Sequence, residues 1–225
     1  MSKNSPIIIN HFSDVLCIWA YLGQIRLDEL QKKFGDNISF NYHFIQVFGA
    51  VESKMTQNWG NKDGIKGYSK HVKDIVIQYP HIEIHPDLWT KNIPTSSASC
   101  HLFLKAIQNL DRKDELGMEV KDVIWQLRLA FFKDLIDVSS LDEQLALARR
   151  LNLPVEKITQ QIFSGLAHAA LEDDLHKKQQ FRVSGSPTLI FNDGRQTLYG
   201  NVGYRLIEAN VEELLKDNQQ HFSWC

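Results

Sequence analysis

Phe12-Ser13-Asp14-Val15-Leu16-Cys17-Ile18-Trp19-Ala20-Tyr21-Leu22-Gly23 is the stretch on which the reading of this chain turns. Before it, Ile7-Ile8-Ile9 together with Phe12 forms a short apolar run, the mark of a buried strand. After it, Trp19, Leu22, Ile25, Leu27 and Leu30 supply the apolar positions of a helix over 17–34, which Gly35 stops. Cys17 therefore falls where a strand gives way to a helix. The unpaired N–H groups of a first helical turn, and the macrodipole behind them, favour negative charge at that point. This placement predicts a thiolate with a pKa below the reference of about 8.5. The competing reading is a buried apolar cysteine under a sheet, because free cysteine is among the most buried residue types.

The strand–helix unit continues into a second strand. Ile38, Phe40, Tyr42 and Phe44 alternate with Ser39, Asn41 and His43, a period of two that puts the first set on one face. A parallel pair with a right-handed crossover is expected. A polar, Gly-containing connection over 49–67 leads into a helical block. Val72, Ile75, Val76 and Tyr79 mark one helix ended by Pro80; 94–110 holds another, with Cys100, Phe103, Ile107 and Leu110 on one face. Val120, Ile124, Leu127 and Phe131 mark a third, and Ser140-Leu141-Asp142-Glu143 opens a fourth as a capping box. Pro154 opens a fifth, and 167–181 a sixth. Strands return at Thr188-Leu189-Ile190-Phe191 and Thr197-Leu198-Tyr199, joined by the hairpin signal Asn192-Asp193-Gly194-Arg195. A last helix carries Leu206, Ile207, Val211, Leu214 and Leu215.

Bulk properties narrow the function. The 225 residues suffice for a full core, and a net charge of −2 gives no general attraction to nucleic acid or anionic lipid. The apolar start is too short for a signal peptide and no stretch could span a bilayer, so the expected location is cytoplasmic. Three cysteines far apart in sequence argue against a disulfide framework and show no zinc-like pairing, so no metal is expected.

Late in the chain, Val183-Ser184-Gly185-Ser186-Pro187-Thr188 precedes the third strand. Asp14-x-x-Cys17-x-Trp19-x-x-x-Gly23, this second motif and the order of elements together resemble the DsbA-like family of thiol oxidoreductases. More narrowly, the chain is similar to the signal-less branch of FrnE-type proteins, kappa-class glutathione transferases and 2-hydroxychromene-2-carboxylate isomerases. The resemblance implies an α/β, thioredoxin-like fold with an α-helical domain inserted between its second and third strands. Its parts would be 1–48 and 183–217 for the thioredoxin-like domain, 65–182 for the insertion and 218–225 for a tail. It also implies a cis bond before Pro187, facing Cys17, with the Ser186 backbone free to pair with an extended peptide or glutathione. A loop proline that simply sets φ before a strand is the plainer reading of the same residue.

Two features of the FrnE-like pattern Asp-x-x-Cys-Pro-Trp-Cys are absent: Ile18 replaces the proline and Ala20 the second cysteine. A dithiol site releases its mixed disulfide by attack of the second thiolate, which alanine cannot perform. The resolving thiol must come from outside, and glutathione is the abundant cytosolic candidate. The favoured expectation is thus a single-cysteine, glutathione-linked thiol–disulfide oxidoreductase with Cys17 as nucleophile and no permanently bound cofactor. The alternatives are a glutathione-dependent transferase or isomerase, and a non-catalytic peptide-binding domain that kept the groove. The kappa-like kinship also implies a homodimer, and contacts from Asn201 and Arg205 to the γ-glutamyl end of glutathione, near a helix start that suits a carboxylate.

The remaining candidates keep two readings each. Asp14 either tunes the Cys17 thiol or is an ordinary turn residue at a strand end. Trp19 either walls the groove or belongs to the core, as does Tyr21. Cys100 is expected in the core, and Cys225 without a role. His101 is adjacent to Cys100 only in sequence, so it is set aside. The acidic run Glu172-Asp173-Asp174 reads as a solvated helix face rather than a metal site.

Overall fold

The computed structural model describes residues 5–113 and 115–217; Cys225 and the rest of the expected tail lie outside the described residues. β1 (Ile7–Ser13), α1 (Ile18–Phe34) and β2 (Ile38–Phe44) form the opening unit, with β1 and β2 parallel in the register Ile7 to Ile38 through Ser13 to Phe44. β3 (Thr188–Phe191) adds antiparallel to the other side of β1, and β4 (Gln196–Tyr199) antiparallel to β3, giving the order β2-β1-β3-β4. The hairpin between β3 and β4 places Asn192 at φ +50° and Gly194 at φ +99°, which is why those residue types occupy the turn. α9 (Tyr204–Asp217) closes the unit.

Between β2 and β3, the described residues form seven α-helices: α2 (Val51–Trp59), α3 (Gly64–Val76), α4 (Ala98–Asp111), α5 (Val120–Phe132), α6 (Leu141–Arg150), α7 (Val155–Phe163) and α8 (Leu166–Gln180). α2 thus lies ahead of residue 65, where the insertion is expected to start. The stretch 49–67, expected as a polar connection, is largely helical, through α2, a 3-10 turn over Gly60–Lys62 and the start of α3; α2 buries only Val51 and Met55 and so leaves little apolar periodicity to read. Ser140 does occupy the N-cap of α6, but its side chain makes no capping bond, so the capping-box expectation fails in detail.

α1 and α9 cover one face of the sheet. Leu27, Leu30 and Phe34 from α1 and Ile207, Val211 and Leu214 from α9 pack there on Ile7, Ile9, Leu189 and Phe191. At 25 cal/mol per Å² of buried apolar surface, each such side chain contributes about 1.5–3 kcal/mol. The first turns of α1 belong to a different core. Ile18, Tyr21 and Leu22 join Phe44, Trp89, Leu127 and Phe132 in the cluster that runs into the insertion. Tyr21 stacks on Phe132 at 4.5 Å and donates its hydroxyl to the Glu83 carbonyl, settling it as a core residue.

The insertion is also clamped to the sheet by a buried charge cluster that the sequence reading missed. Asp174 on α8 is 2% exposed, not solvated as expected of the acidic run. Its Oδ1 lies 2.8 Å from His43 Nδ1, and its Oδ2 lies 2.7 Å from Lys105 Nζ of α4 and accepts the Phe44 N–H. Burial pushes the Asp174 carboxyl up, but His43 and Lys105 outweigh it and hold its pKa below the usual range. Glu172 and Asp173 remain exposed.

Candidate active site

The sheet register builds the site. Phe12 lies opposite Thr188, so the residues at these strand ends, Ser13-Asp14 and Ser186-Pro187, are brought together. Asp14 and Ser186 do meet: the Asp14 N–H donates to Ser186 Oγ at 2.9 Å. The Ser186–Pro187 peptide bond is cis. The Cys17 N–H donates to the Asp14 carbonyl, which turns the chain from β1 into α1 and leaves Cys17 at the helix N-cap. Its thiol donates to the Ser186 carbonyl oxygen at 3.4 Å. The two motifs, far apart in sequence, are thus in direct contact.

Cys17 is only 5% exposed, and this corrects one expectation. Burial pushes its thiol pKa up; the hydrogen bonds from Ser186, Ala20 and Trp19 favour the thiolate, but the net shift is upward, helped by the Asp14 charge. The helix start acts in the direction read from sequence and is outweighed by desolvation. The resting sulfur is a protonated donor.

Asp14 is fully buried and serves as a hub. Its Oδ1 accepts the Leu16 N–H at 2.9 Å, while Oδ2 accepts the Phe48 N–H and the Ser97 hydroxyl, each at 2.8 Å. Burial would raise its pKa, but His101 and these backbone N–H groups overcome that and hold it below the ordinary carboxylate value. His101, set aside on sequence grounds, sits beside this hub: its Nε2 accepts the Val15 N–H at 3.3 Å and lies 3.6 Å from Asp14 Oδ1. Its neighbour Cys100 points elsewhere, donating to the Val138 carbonyl inside the core.

Beside the Cys17 turn runs a narrow cleft with about 30 Å³ of free space. Half-buried Trp19 walls it together with Ala20, Gly23 and Arg26 from the same helix, opposite Pro187 and Asn201. Asn201 is in place: its Oδ1 accepts from the Arg26 guanidinium, and its Nδ2 donates to the Tyr79 hydroxyl of the insertion at 2.6 Å. Arg205 is not brought in; it stays exposed on α9, and Arg26 supplies the cation lining the cleft. Positions 19, 23 and 26 are spaced i, i+4, i+7, one face of a helix, so Arg26 was available to a sequence reading that followed the Trp19 face. His11, which also lines the cleft, was not: it sits on β1 beside polar Asn10, and nothing in its own stretch points it at α1. Buried Arg128 of α5 donates to Gln24 Oε1 and Ser13 Oγ under the same turn, and burial lowers its pKa to about 10.

Among the described residues, no group of three or more His, Cys, Asp or Glu side chains is placed to hold a metal, and no helix is long and apolar enough to cross a membrane. The arrangement brings one sulfur against the Ser186 backbone carbonyl at the end of the cis-proline loop.

Solved structures share this architecture. A candidate protein disulfide isomerase from Nitrosomonas europaea superposes with a TM-score of 0.72 at 17% identity, covering 96% of this chain and 100% of its own. The cytosolic disulfide reductase DsbM from Pseudomonas aeruginosa, solved with glutathione, gives 0.67 at 18% identity, covering 93% of this chain and 99% of its own. A 2-hydroxychromene-2-carboxylate isomerase gives 0.66 at 17% identity, covering 96% and 100%. No curated protein matches the chain. Residues 8–212 match the DsbA-like thioredoxin domain, nearly the whole length, and the chain belongs to that family.

Proposed function

We propose that this protein is a single-cysteine thiol–disulfide oxidoreductase that uses glutathione as its second thiol. The observation that carries the reading is the 3.4 Å contact between Cys17 Sγ and the Ser186 carbonyl ahead of Pro187, with Ala20 where a resolving thiol would stand. An extended substrate that pairs with the Ser186 backbone competes for the carbonyl that holds the thiol proton. The N–H groups of Trp19 and Ala20 then favour the charge left on sulfur. The Cys17 thiolate attacks a glutathione mixed disulfide, taking the glutathionyl sulfur and expelling the substrate thiolate, which is protonated. A second glutathione thiolate attacks Cys17–S–SG, restoring the thiol and leaving as oxidised glutathione. Membership of the DsbA-like family and the likeness to a glutathione-bound disulfide reductase support this reading.

The raised thiol pKa favours one second reading. A neutral Cys17 can act as a hydrogen-bond donor to the thiolate of bound glutathione in a transferase or isomerase. Intact mass after incubation with oxidised glutathione separates the two. An adduct of one glutathione mapped to Cys17, absent in Cys17→Ser, supports exchange. Reversible glutathione binding without an adduct, kept in Cys17→Ser and lost in Cys17→Ala, favours the second reading and removes the first.

A further inference from the structure

Exchange at Cys17 needs only the sulfur and the Ser186 backbone, yet the cleft beside them is shaped in ways this chemistry leaves unused. Its α1 wall is bare at Gly23: no heavy atom lies within 4 Å of where a Cβ would stand. Leu27, Leu198 and Ile207 make the rest apolar, and the free space of about 30 Å³ admits only a slim group. Two polar features interrupt it. The Arg26 guanidinium is held by a neutral amide, Asn201, which Tyr79 steadies in turn. His11 Nδ1, on a side chain 2% exposed, has no hydrogen-bond partner. A buried polar atom without a partner costs free energy unless a ligand or water meets it. Among the described residues, none lining the cleft is acidic. An unbranched apolar chain fits the width, a carboxylate suits a positioned guanidinium, and an ammonium would find no counter-charge.

We propose that this cleft is a substrate subsite that selects disulfides bearing a slim apolar substituent ended by a carboxylate, with Arg26 as the specificity-determining residue. The proposal rests on Cys17 being the attacking thiol. The Cys17 proton goes to solvent, and its sulfur forms a bond to one sulfur of the disulfide. The original S–S bond breaks and the departing thiolate takes up a proton. Cys17 is oxidised to the mixed disulfide as the leaving sulfur is reduced to a thiol.

The test compares mass gain at Cys17 with the disulfides of 3-mercaptopropionate, 2-mercaptoethanol and cysteamine, each rate divided by that of the same probe with free glutathione. The carboxylate probe should react at least tenfold faster than the ammonium probe. Arg26→Gln should collapse that ratio while sparing the neutral probe, and Lys32→Gln, the same charge change at an exposed site of α1, should leave it intact. Gly23→Ala should slow the carboxylate probe severalfold without lowering the melting temperature, since alanine favours the helix. Equal reactivity of the probes, or a ratio untouched by Arg26→Gln, overturns the proposal. Calorimetric binding of the unreactive thioether 3-(methylthio)propionate judges the cleft separately from the sulfur. If no probe labels Cys17, the exchange reading falls, and Arg26-dependent thioether binding still decides whether the cleft is a carboxylate site.

Discussion

His11 gives the sharpest quantitative prediction. It lies on β1 opposite Leu189, edge-on to Tyr42 at 5.9 Å, and its side chain is 2% exposed. Burial, with smaller contributions from the Arg128 and His43 charges, lowers its pKa from 6.5 to about 3. The unfolded chain therefore takes up a proton as pH falls below 6.5, while the native protein refuses it until about 3. The associated stability is complete above the unfolded pKa and drains away as pH falls toward the native one. Integrated between pH 7 and pH 5, the loss is about 2 kcal/mol for this one residue. Urea unfolding of the wild type and of His11→Leu at those two pH values, followed by circular dichroism, measures it. The wild type should lose about 2 kcal/mol more than the variant. The window stays above the titration of ordinary carboxylates. His43, whose pKa burial also depresses, pulls in the same direction in both proteins and cancels from the difference. Parallel losses in the two proteins would refute the claim that a neutral, buried imidazole lines the cleft.

Other outcomes follow from the same structure. Because burial raises the Cys17 thiol, iodoacetamide should label it more slowly than a free cysteine at pH 8, with the rate still climbing beyond pH 9; a plateau at lower pH contradicts the buried, protonated sulfur. Lys105→Met leaves Asp174 buried with its strongest counter-charge gone, and should cost about 3–5 kcal/mol in urea unfolding. A cost under about 1 kcal/mol, the value of a surface pair, would mean that the cluster is solvated. Ala20→Cys restores a second thiol one turn into α1. The glutathione adduct on Cys17 should then fail to accumulate, and an adduct as persistent as in the parent would show that position 20 cannot reach the sulfur.

How far the sequence could be read depended on whether the cause was local. α1, β2 and the β3–β4 hairpin carry their own periodicity, helix stop and turn residues, and the structure places them where those signals lie. The contact between the Cys17 and Pro187 segments was legible as well, because two short motifs at the right points of the topology resemble a family that implies it. What failed was set by distant partners. Asp174 looks like its exposed neighbours Glu172 and Asp173 until Lys105 and His43 are brought against it. His101 shares a helix with Cys100, yet only the tertiary fold aims it at Asp14. The direction of the Cys17 pKa was misread for the same reason: the helix end is visible in the sequence, the packing that seals it is not.

The Asp14 hub bears on how separable the two halves of this molecule are. One carboxylate oxygen is satisfied by the Cys17 turn and the other by Phe48 and Ser97, which frame the insertion. Excising the helices to leave a minimal four-stranded scaffold would strand an ionised side chain whose other donors have been cut away. Grafting this cysteine loop onto a thioredoxin lacking such donors would meet the same obstacle. The two lobes share a keystone, so engineering or divergence that alters one must re-house that carboxylate in the other.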